Sequence, residues 1–130
     1  MMKTHTLNNG AKIVSLSPHG FKFSDGSESD PQNNELVSFF TLERKFQSKG
    51  EIKGMAVNAM QMVLSNDQIK KLQEIAAQVD LIIVPFPMLT ALREQGIRNE
   101  FPNAVAFNAT AETQRCPPQE KVVDLNNWSY

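Results

Sequence analysis

The chain has 130 residues, of which 41% are hydrophobic and 21% are charged, so it can form one domain with a real core over residues 1–130. Its formal net charge of −1 argues against a general binder of nucleic-acid polymers, which would show a basic excess. Cys116 is the only cysteine, which excludes an intrachain disulfide and a multi-cysteine metal site. Residues 1–5 have no apolar stretch of signal-peptide length, and the apolar run near residues 81–89 is too short to span a bilayer. We therefore expect a cytoplasmic protein.

The N-terminal third predicts short antiparallel strands and one short helix. Asn9-Gly10 lies between two extended segments within residues 4–16, a strong hairpin signal. Phe21-Lys22-Phe23 alternates like a short strand and leads into a turn at residues 24–27. Further on, residues 35–40 place three apolar side chains on one helical face, with Asn33 or Asn34 as the cap.

The middle of the chain predicts two strands and a helix. Residues 43–47 and 52–64 read as strands around Lys49-Gly50, and the second has apolar residues at both parities, which is typical of a strand covered on both faces. Ser65 and Gln68 then form a capping box. The helix that follows has an apolar stripe formed by Ile69, Leu72, Ala76 and Val79.

A buried strand at residues 80–84 meets Pro85-Phe86-Pro87, where a second helix begins, and that helix is predicted to run to Gln95 and stop at Gly96. Extended segments follow at residues 104–107 and 121–125. The alternation of strands and helices from Met55 to Phe107 predicts parallel neighbours. The fold class is therefore α+β (mixed α/β), a single domain with one mixed sheet, N-terminal antiparallel hairpins and two to three helices.

No catalytic constellation is visible. His5 and His19 are the two histidines, and neither a metal-binding His pair, a nucleophile elbow nor a phosphate-binding glycine loop occurs. A nucleophilic pair of Cys116 with either histidine is less favoured than a small apolar residue beside two prolines. The pattern favours binding over catalysis, with no catalytic residue, metal or cofactor predicted.

Phe86 has two interpretations. Its ring either fills the core at a rigid strand-to-helix turn, or stacks on a base while the helix N-terminus faces a phosphate. Arg93 and Arg98 read as solvated side chains. Arg115, in a polar segment stiffened by Pro117-Pro118, is open between an anion or base contact and a structural salt bridge. Aromatic residues near the C-terminus, Trp128 and Tyr130, suggest docking on the same subunit or on a neighbour.

Three stretches resemble a known family, the small phage-encoded Thoeris anti-defence sponges. They are the segment from Ser17 to Gly26, Val84-Pro85-Phe86-Pro87, and Arg115-x-Pro117-Pro118-x-Glu120-Lys121. The resemblance implies a viral protein for evasion of host immunity that sequesters a cyclic ADP-ribose isomer, and in some members also cyclic oligonucleotides. It further implies a dimer-based homo-oligomer, such as a hexamer, with ligand pockets at subunit interfaces.

The resemblance also implies roles for particular residues. Phe86 would stack on the base, Arg115 would be the main phosphate or base contact, and Asn99 would be a polar partner. Lys53 is the nearest candidate for a basic residue that the family has in its mid-chain strand region, where this chain has Asn58. Arg93 completes the set of ligand-binding candidates.

Three functions follow as hypotheses. The first is a non-enzymatic protein that sequesters a small cyclic nucleotide-type signal at an oligomer interface. The second is a nucleotide-processing enzyme that uses His19 or Glu120 as general base. The third is a protein-interaction module that docks through Trp128 and Tyr130.

Overall fold

The computed structural model describes residues 2–117 and 120–130, and in them the chain forms a mixed α+β domain. The described helices are α1 (Asn34–Phe39), α2 (Asn66–Ala76), α3 (Phe86–Glu94) and a 3₁₀ turn (Arg98–Glu100). The described strands are β1 (His5–Thr6), β2 (Lys12–Ser15), β3 (Lys22–Phe23), β4 (Glu43–Ile52), β5 (Met55–Val63), β6 (Leu81–Ile83), β7 (Ala104–Ala109) and β8 (Val122–Ser129). The predicted fold class is confirmed.

Six strands form the main sheet in the order β1-β2-β6-β7-β8-β3. Strands β2, β6 and β7 are parallel to one another, β1 and β8 run antiparallel to their neighbours β2 and β7, and β3 is parallel to β8. The predicted strand at 80–84 is therefore central, with Ile82 and Ile83 almost fully buried. The predicted parallel order is right for β6 and β7, which α3 connects.

Several local predictions are confirmed by their hydrogen bonds. The Asn9-Gly10 turn joins β1 to β2, and Gly10 has the positive φ that such a turn requires. Asn33 caps α1 by accepting from the Leu36 N–H. The capping box of α2 is complete in both directions between Ser65 and Gln68.

Strands β4 and β5 form a separate two-stranded hairpin, which we call the β arm, and here the sequence prediction is wrong in three ways. The turn lies at Lys53-Gly54, where both residues have positive φ as a type I′ turn requires, while Gly50 lies in β4 at a register shift. Moreover β5 is not covered on both faces: all of β4 and most of β5 are exposed. It is β2, not β5, that lies parallel to β6.

The sheet separates two apolar clusters. The outer core lies between the sheet and the three helices, and it includes Val14, Leu72, Ile82, Met88 and Phe101. The inner core lies on the opposite face and includes Leu7, Ile13, Phe23, Ile83 and Val123. Alternation along the strands sends successive residues to opposite cores, as with Ile82 and Ile83 of β6.

The inner core is closed because the sheet curls until its two edge strands meet. The His5 ring of β1 stacks on the Phe23 ring of β3, with centroids 5.2 Å apart, and His5 Nε2 shares a 2.9 Å hydrogen bond with the Ser27 hydroxyl. At the next turn, the Asn8 backbone N–H donates to the Asp25 carboxylate. In the described part of the chain, no helix is long and apolar enough to cross a membrane.

Candidate functional site

A concavity of about 510 Å³ lies where β6 and β7 end and α3 begins. The carboxyl ends of neighbouring parallel strands are the usual place for ligands in such sheets. Its lining comes from the start of α3, from β7, from the following loop and from β8: Phe86, Phe107, Asn108, Ala109, Ala111, Gln114, Lys121, Asp124 and Asn127.

Phe86 lies on the rim of this concavity with 54% of its surface exposed. The helix that it begins buries other side chains against the outer core, among them Met88, Leu89 and Leu92. The interpretation of Phe86 as a core residue is therefore wrong. An exposed aromatic face at a concave surface is available for stacking on a planar ligand.

The floor of the concavity is shaped by an irregularity between β7 and β8. Phe107 pairs with Trp128, yet Ala109, two residues on, pairs with Val123. The extra residues of β8 therefore bulge out opposite Asn108, and Asp124 and Asn127 of this bulge line the concavity. The Phe107 ring packs on Phe21, with centroids 5.0 Å apart, and so ties the floor to the inner core.

The polar lining is rich in amides and has one charge of each sign. The Asn108 amide donates weakly to Asn127 at 3.4 Å and accepts from the Ser129 hydroxyl at 2.9 Å. Within the described residues, the side chains of Lys121 and Gln114 make no hydrogen bond or ion pair. An ammonium and an amide are thus available for a ligand.

The first turn of α3 offers less to a phosphate than its position suggests. Pro87 has no N–H, and the N–H groups of Met88 and Leu89 both donate to the Pro85 carbonyl. The hypothesis of a phosphate held by this helix N-terminus therefore loses most of its donors. Lys121 is the cationic group that lines the concavity.

Arg115 lies one residue beyond Gln114, in a turn held by Thr110 and Thr113. Its side chain is exposed and forms no salt bridge with any described residue, and Pro118, which was expected to stiffen this loop, lies outside the described residues. The alternative of a structural salt bridge thus finds no partner within 2–117 and 120–130. Arg115 is near the concavity in sequence but does not line it.

The remaining candidates lie elsewhere. Lys53 is at the tip of the β arm with φ +50°, and Asn99 is exposed in the 3₁₀ turn. Arg93 is exposed on the last turn of α3 and donates to the Tyr130 carbonyl at 3.0 Å. None of these three lines the concavity around Phe86.

Arg98 is not the solvated side chain that the sequence suggests. It is 7% exposed, its guanidinium donates to the carbonyls of Phe101 and Ala104, and the Tyr130 ring stacks on it at 3.6 Å. Trp128 likewise packs on the inner core and donates to the Leu125 carbonyl. Both C-terminal aromatics thus dock on their own chain.

A second concavity lies near the N-terminus and is lined by His5 and Gln32 among others. These two side chains are less available to a ligand than those around Phe86. Gln32 already binds the backbone of Lys3 and the carbonyl of Ser15, and His5 is engaged by Phe23 and Ser27. His19, the candidate base, lines a third concavity and not the one at Phe86. Among the residues described, no group of three or more His, Cys, Asp or Glu side chains could hold a metal ion.

No family model, curated protein or solved structure matches this chain. The site is therefore defined by its geometry. Sequence reasoning found Phe86 but missed Asn108, Gln114, Lys121, Asp124 and Asn127. Asp124 and Asn127 reach the concavity only because of the β-bulge, which no feature of the sequence predicts.

Proposed function

We propose that this protein is a non-enzymatic binding protein that sequesters a small cyclic nucleotide-type signal. The observation that carries the proposal is the exposed Phe86 ring at a concavity whose polar lining is mainly amides. Amides bind base edges and hydroxyls but do not exchange protons at neutral pH, so they suit holding better than acid–base chemistry.

The proposed contacts divide by chemistry. Phe86 stacks on a base, the amides of Asn108, Gln114 and Asn127 bind base edges or ribose hydroxyls, and Lys121 neutralises a phosphate. Arg115, exposed one residue beyond Gln114, is the second cation that we propose for the ligand.

The mechanism is mass action. A protein present in excess over its ligand, with a dissociation constant below that of the ligand's receptor, lowers the free ligand without altering it. The resemblance to anti-defence sponges supports a cyclic ADP-ribose isomer, with cyclic oligonucleotides as further ligands. In that setting the protein acts in the host cytoplasm as a homo-oligomer and blocks an anti-phage signal.

The test is to incubate the protein with cyclic ADP-ribose isomers and with cyclic oligonucleotides, remove free ligand, heat-denature the protein and analyse what is released. Recovery of intact ligand is the expected result. Release of a new product would overturn the proposal in favour of a nucleotide-processing enzyme. Absence of binding to every ligand tried would overturn it as well.

The site is tested with two variants and two matched controls. Phe86→Ala should raise the dissociation constant roughly 5- to 100-fold, because stacking on a base contributes about 1–3 kcal/mol. Lys121→Ala should raise it roughly tenfold through loss of a charge-assisted contact. Phe39→Ala and Lys70→Ala remove an exposed ring and an exposed ammonium from α1 and α2, and should leave the affinity unchanged.

A further inference from the structure

The β arm exposes an unusual amount of apolar side chain. Four of the seven large hydrophobic residues that are exposed in the described part of the chain belong to it: Phe46, Ile52, Met55 and Met60, each at least 54% exposed. A two-stranded hairpin with both faces in water is marginally stable by itself. The base of the arm is held by Gln95, whose amide exchanges two hydrogen bonds with the Leu64 backbone, and β5 also contacts α3, while most side chains of the arm remain exposed.

The two edges of the arm differ in charge. Strand β4 has Glu43, Arg44, Lys45, Lys49 and Glu51, whereas the nine residues of β5 include no charged side chain. Charged residues and bulges on an edge strand prevent pairing with another chain. Strand β4 has both, since its register shifts between Ser48 and Glu51, while β5 has neither. The free edge of β5 is thus the unprotected one.

We propose that β5 pairs with β5 of a second copy, antiparallel about a two-fold axis, to form a four-stranded sheet with the order β4-β5-β5-β4. The β5 edge can pair with the β5 edge of another copy because a strand without charges meets no like-charge repulsion there. A two-fold axis brings the same residues of the two edges together, so one edge can satisfy the other. A register centred on Ala59 places Met60 of the two chains diagonally across the axis. Methionines can pack at that distance.

The size of the contact sets the affinity expected of this dimer. A nine-residue strand is about 30 Å long and a sheet is about 10 Å thick, so two paired edges bury about 300 Å² on each copy, on the order of 600 Å² in total. That area is small for a specific interface, and it predicts a weak dimer that dissociates in the micromolar range. The inference rests on the arm alone and does not depend on the proposed ligand.

The experiment measures the oligomeric state of the full chain by sedimentation equilibrium. Wild type should be a dimer that dissociates on dilution, and Ala59→Lys should raise the dissociation constant at least tenfold by opposing two ammonium groups across the axis. The matched control is Gln47→Lys, which adds the same charge at the position of β4 that pairs with Ala59 and should leave the dimer intact. A wild type that stays monomeric at about 100 µM, or equal weakening by both variants, overturns pairing through the β5 edge.

A covalent test distinguishes loss of the interface from a folding defect of the Ala59→Lys variant. In a Cys116→Ser background, Ala59→Cys should give a disulfide-linked dimer on mild oxidation, because residues facing each other across antiparallel strands lie within reach of a disulfide. Gln47→Cys in the same background should give no disulfide-linked dimer under the same oxidation, with both samples compared on a denaturing gel without reductant. Cross-linking of Gln47→Cys without cross-linking of Ala59→Cys would assign the interface to β4 and overturn the proposal.

Discussion

Arg98 shows how a single buried cation can organise the end of a fold. Its guanidinium binds two backbone carbonyls, of Phe101 and Ala104, that lie between the 3₁₀ turn and β7. Burial lowers the pKa of Arg98, yet a guanidinium remains charged at neutral pH. A charge with 7% exposure is tolerated because the two carbonyls bind its terminal nitrogens and the Tyr130 ring covers the guanidinium, while Nε has no hydrogen-bond partner among the described residues.

Arg98→Ala should therefore be strongly destabilising. Two charge-assisted hydrogen bonds are lost and the Ala104 carbonyl loses its side-chain partner, whereas the Phe101 carbonyl keeps the Ala104 N–H, which predicts a decrease of about 2–4 kcal/mol in the free energy of unfolding. Arg93→Ala is the matched control, because this exposed arginine makes one hydrogen bond to the Tyr130 carbonyl and should cost less than about 1 kcal/mol. Urea unfolding of both variants decides the matter, and similar losses would refute the structural role of Arg98.

Asp25 gives a prediction with a defined pH dependence. Hydrogen bonds from the Ser27 hydroxyl and from the N–H groups of Asn8 and Ser27 lower the pKa of this carboxyl group below its usual 3.8. A lowered pKa means that the carboxylate stabilises the folded state above the unfolded pKa of about 3.9, and that this stabilisation is lost as the pH falls through the folded pKa.

Asp25→Asn should accordingly lower stability at pH 6 by no more than about 1 kcal/mol, since the site is largely solvated. The difference from wild type should shrink as the pH is lowered below about 4. Urea midpoints of the two proteins at pH 6 and pH 3 measure this, and a difference that grows towards acid would contradict the assignment.

At the residue scale, the sequence is informative wherever the chemistry is local. Asn33, Ser65 and Gly10 act on backbone groups a few positions away, so their local sequence is enough to recognise a cap or a turn residue. The turn at Gly54 was missed, because Gly50 was taken for the hairpin turn. Arg98 was misjudged, and the two interpretations of Phe86 stayed open, because burial depends on what packs on a side chain from distant parts of the chain. Only the fold places Tyr130 on Arg98, or turns Phe86 away from the core.

At the scale of elements, Gln68 connects two helices. Its side-chain oxygen accepts from the Ser65 N–H to close the capping box, and its amide nitrogen donates to the carbonyls of Phe39 and Thr41 at the end of α1. The first role is visible in the sequence, and the second is not. A residue predicted to finish a helix cap is thus also the buried link that fixes α1 against α2.

This double role predicts unequal effects within one capping box. Ser65→Ala should cost about 1 kcal/mol, the usual value for a lost cap. Gln68→Ala should cost about 2–4 kcal/mol, because it also removes the two hydrogen bonds that this buried amide donates to the carbonyls of Phe39 and Thr41. Chemical denaturation compares the two directly, and equal costs would mean that the bonds to α1 contribute nothing.

The β arm explains the largest error of the sequence prediction. Apolar residues at both parities are typical of a strand covered on both faces, and β5 has that pattern without that cover within its own chain. The proposed pairing with a second copy would account for an apolar strand that the domain itself leaves largely exposed. The same pattern explains why the sequence prediction took β5 as a parallel neighbour of β6, a place that β2 occupies.

At the scale of the whole molecule, two parts of different stability are joined at Leu64. The curled sheet is sealed by helices on one face and by its own meeting edges on the other, and its central strands are the most buried part of the chain. The β arm has hydrogen bonds between its two strands but almost no buried side chain, apart from Val63 at its base. Its opening therefore does not require the core to open.

Hydrogen exchange should reveal this division. Amides of β6 should exchange only through global unfolding, whereas amides of the β arm should exchange through local opening at a much lower free energy. Raising the protein concentration through the range in which the dimer forms should slow exchange in β5 more than in β4, because only β5 gains a partner strand. Mass-spectrometric exchange on peptides from the two strands distinguishes these cases. If the amides of the arm were as protected as those of β6 in dilute solution, the arm would be covered within its own chain. If their protection did not change with protein concentration, self-association would not contribute to the stability of the arm.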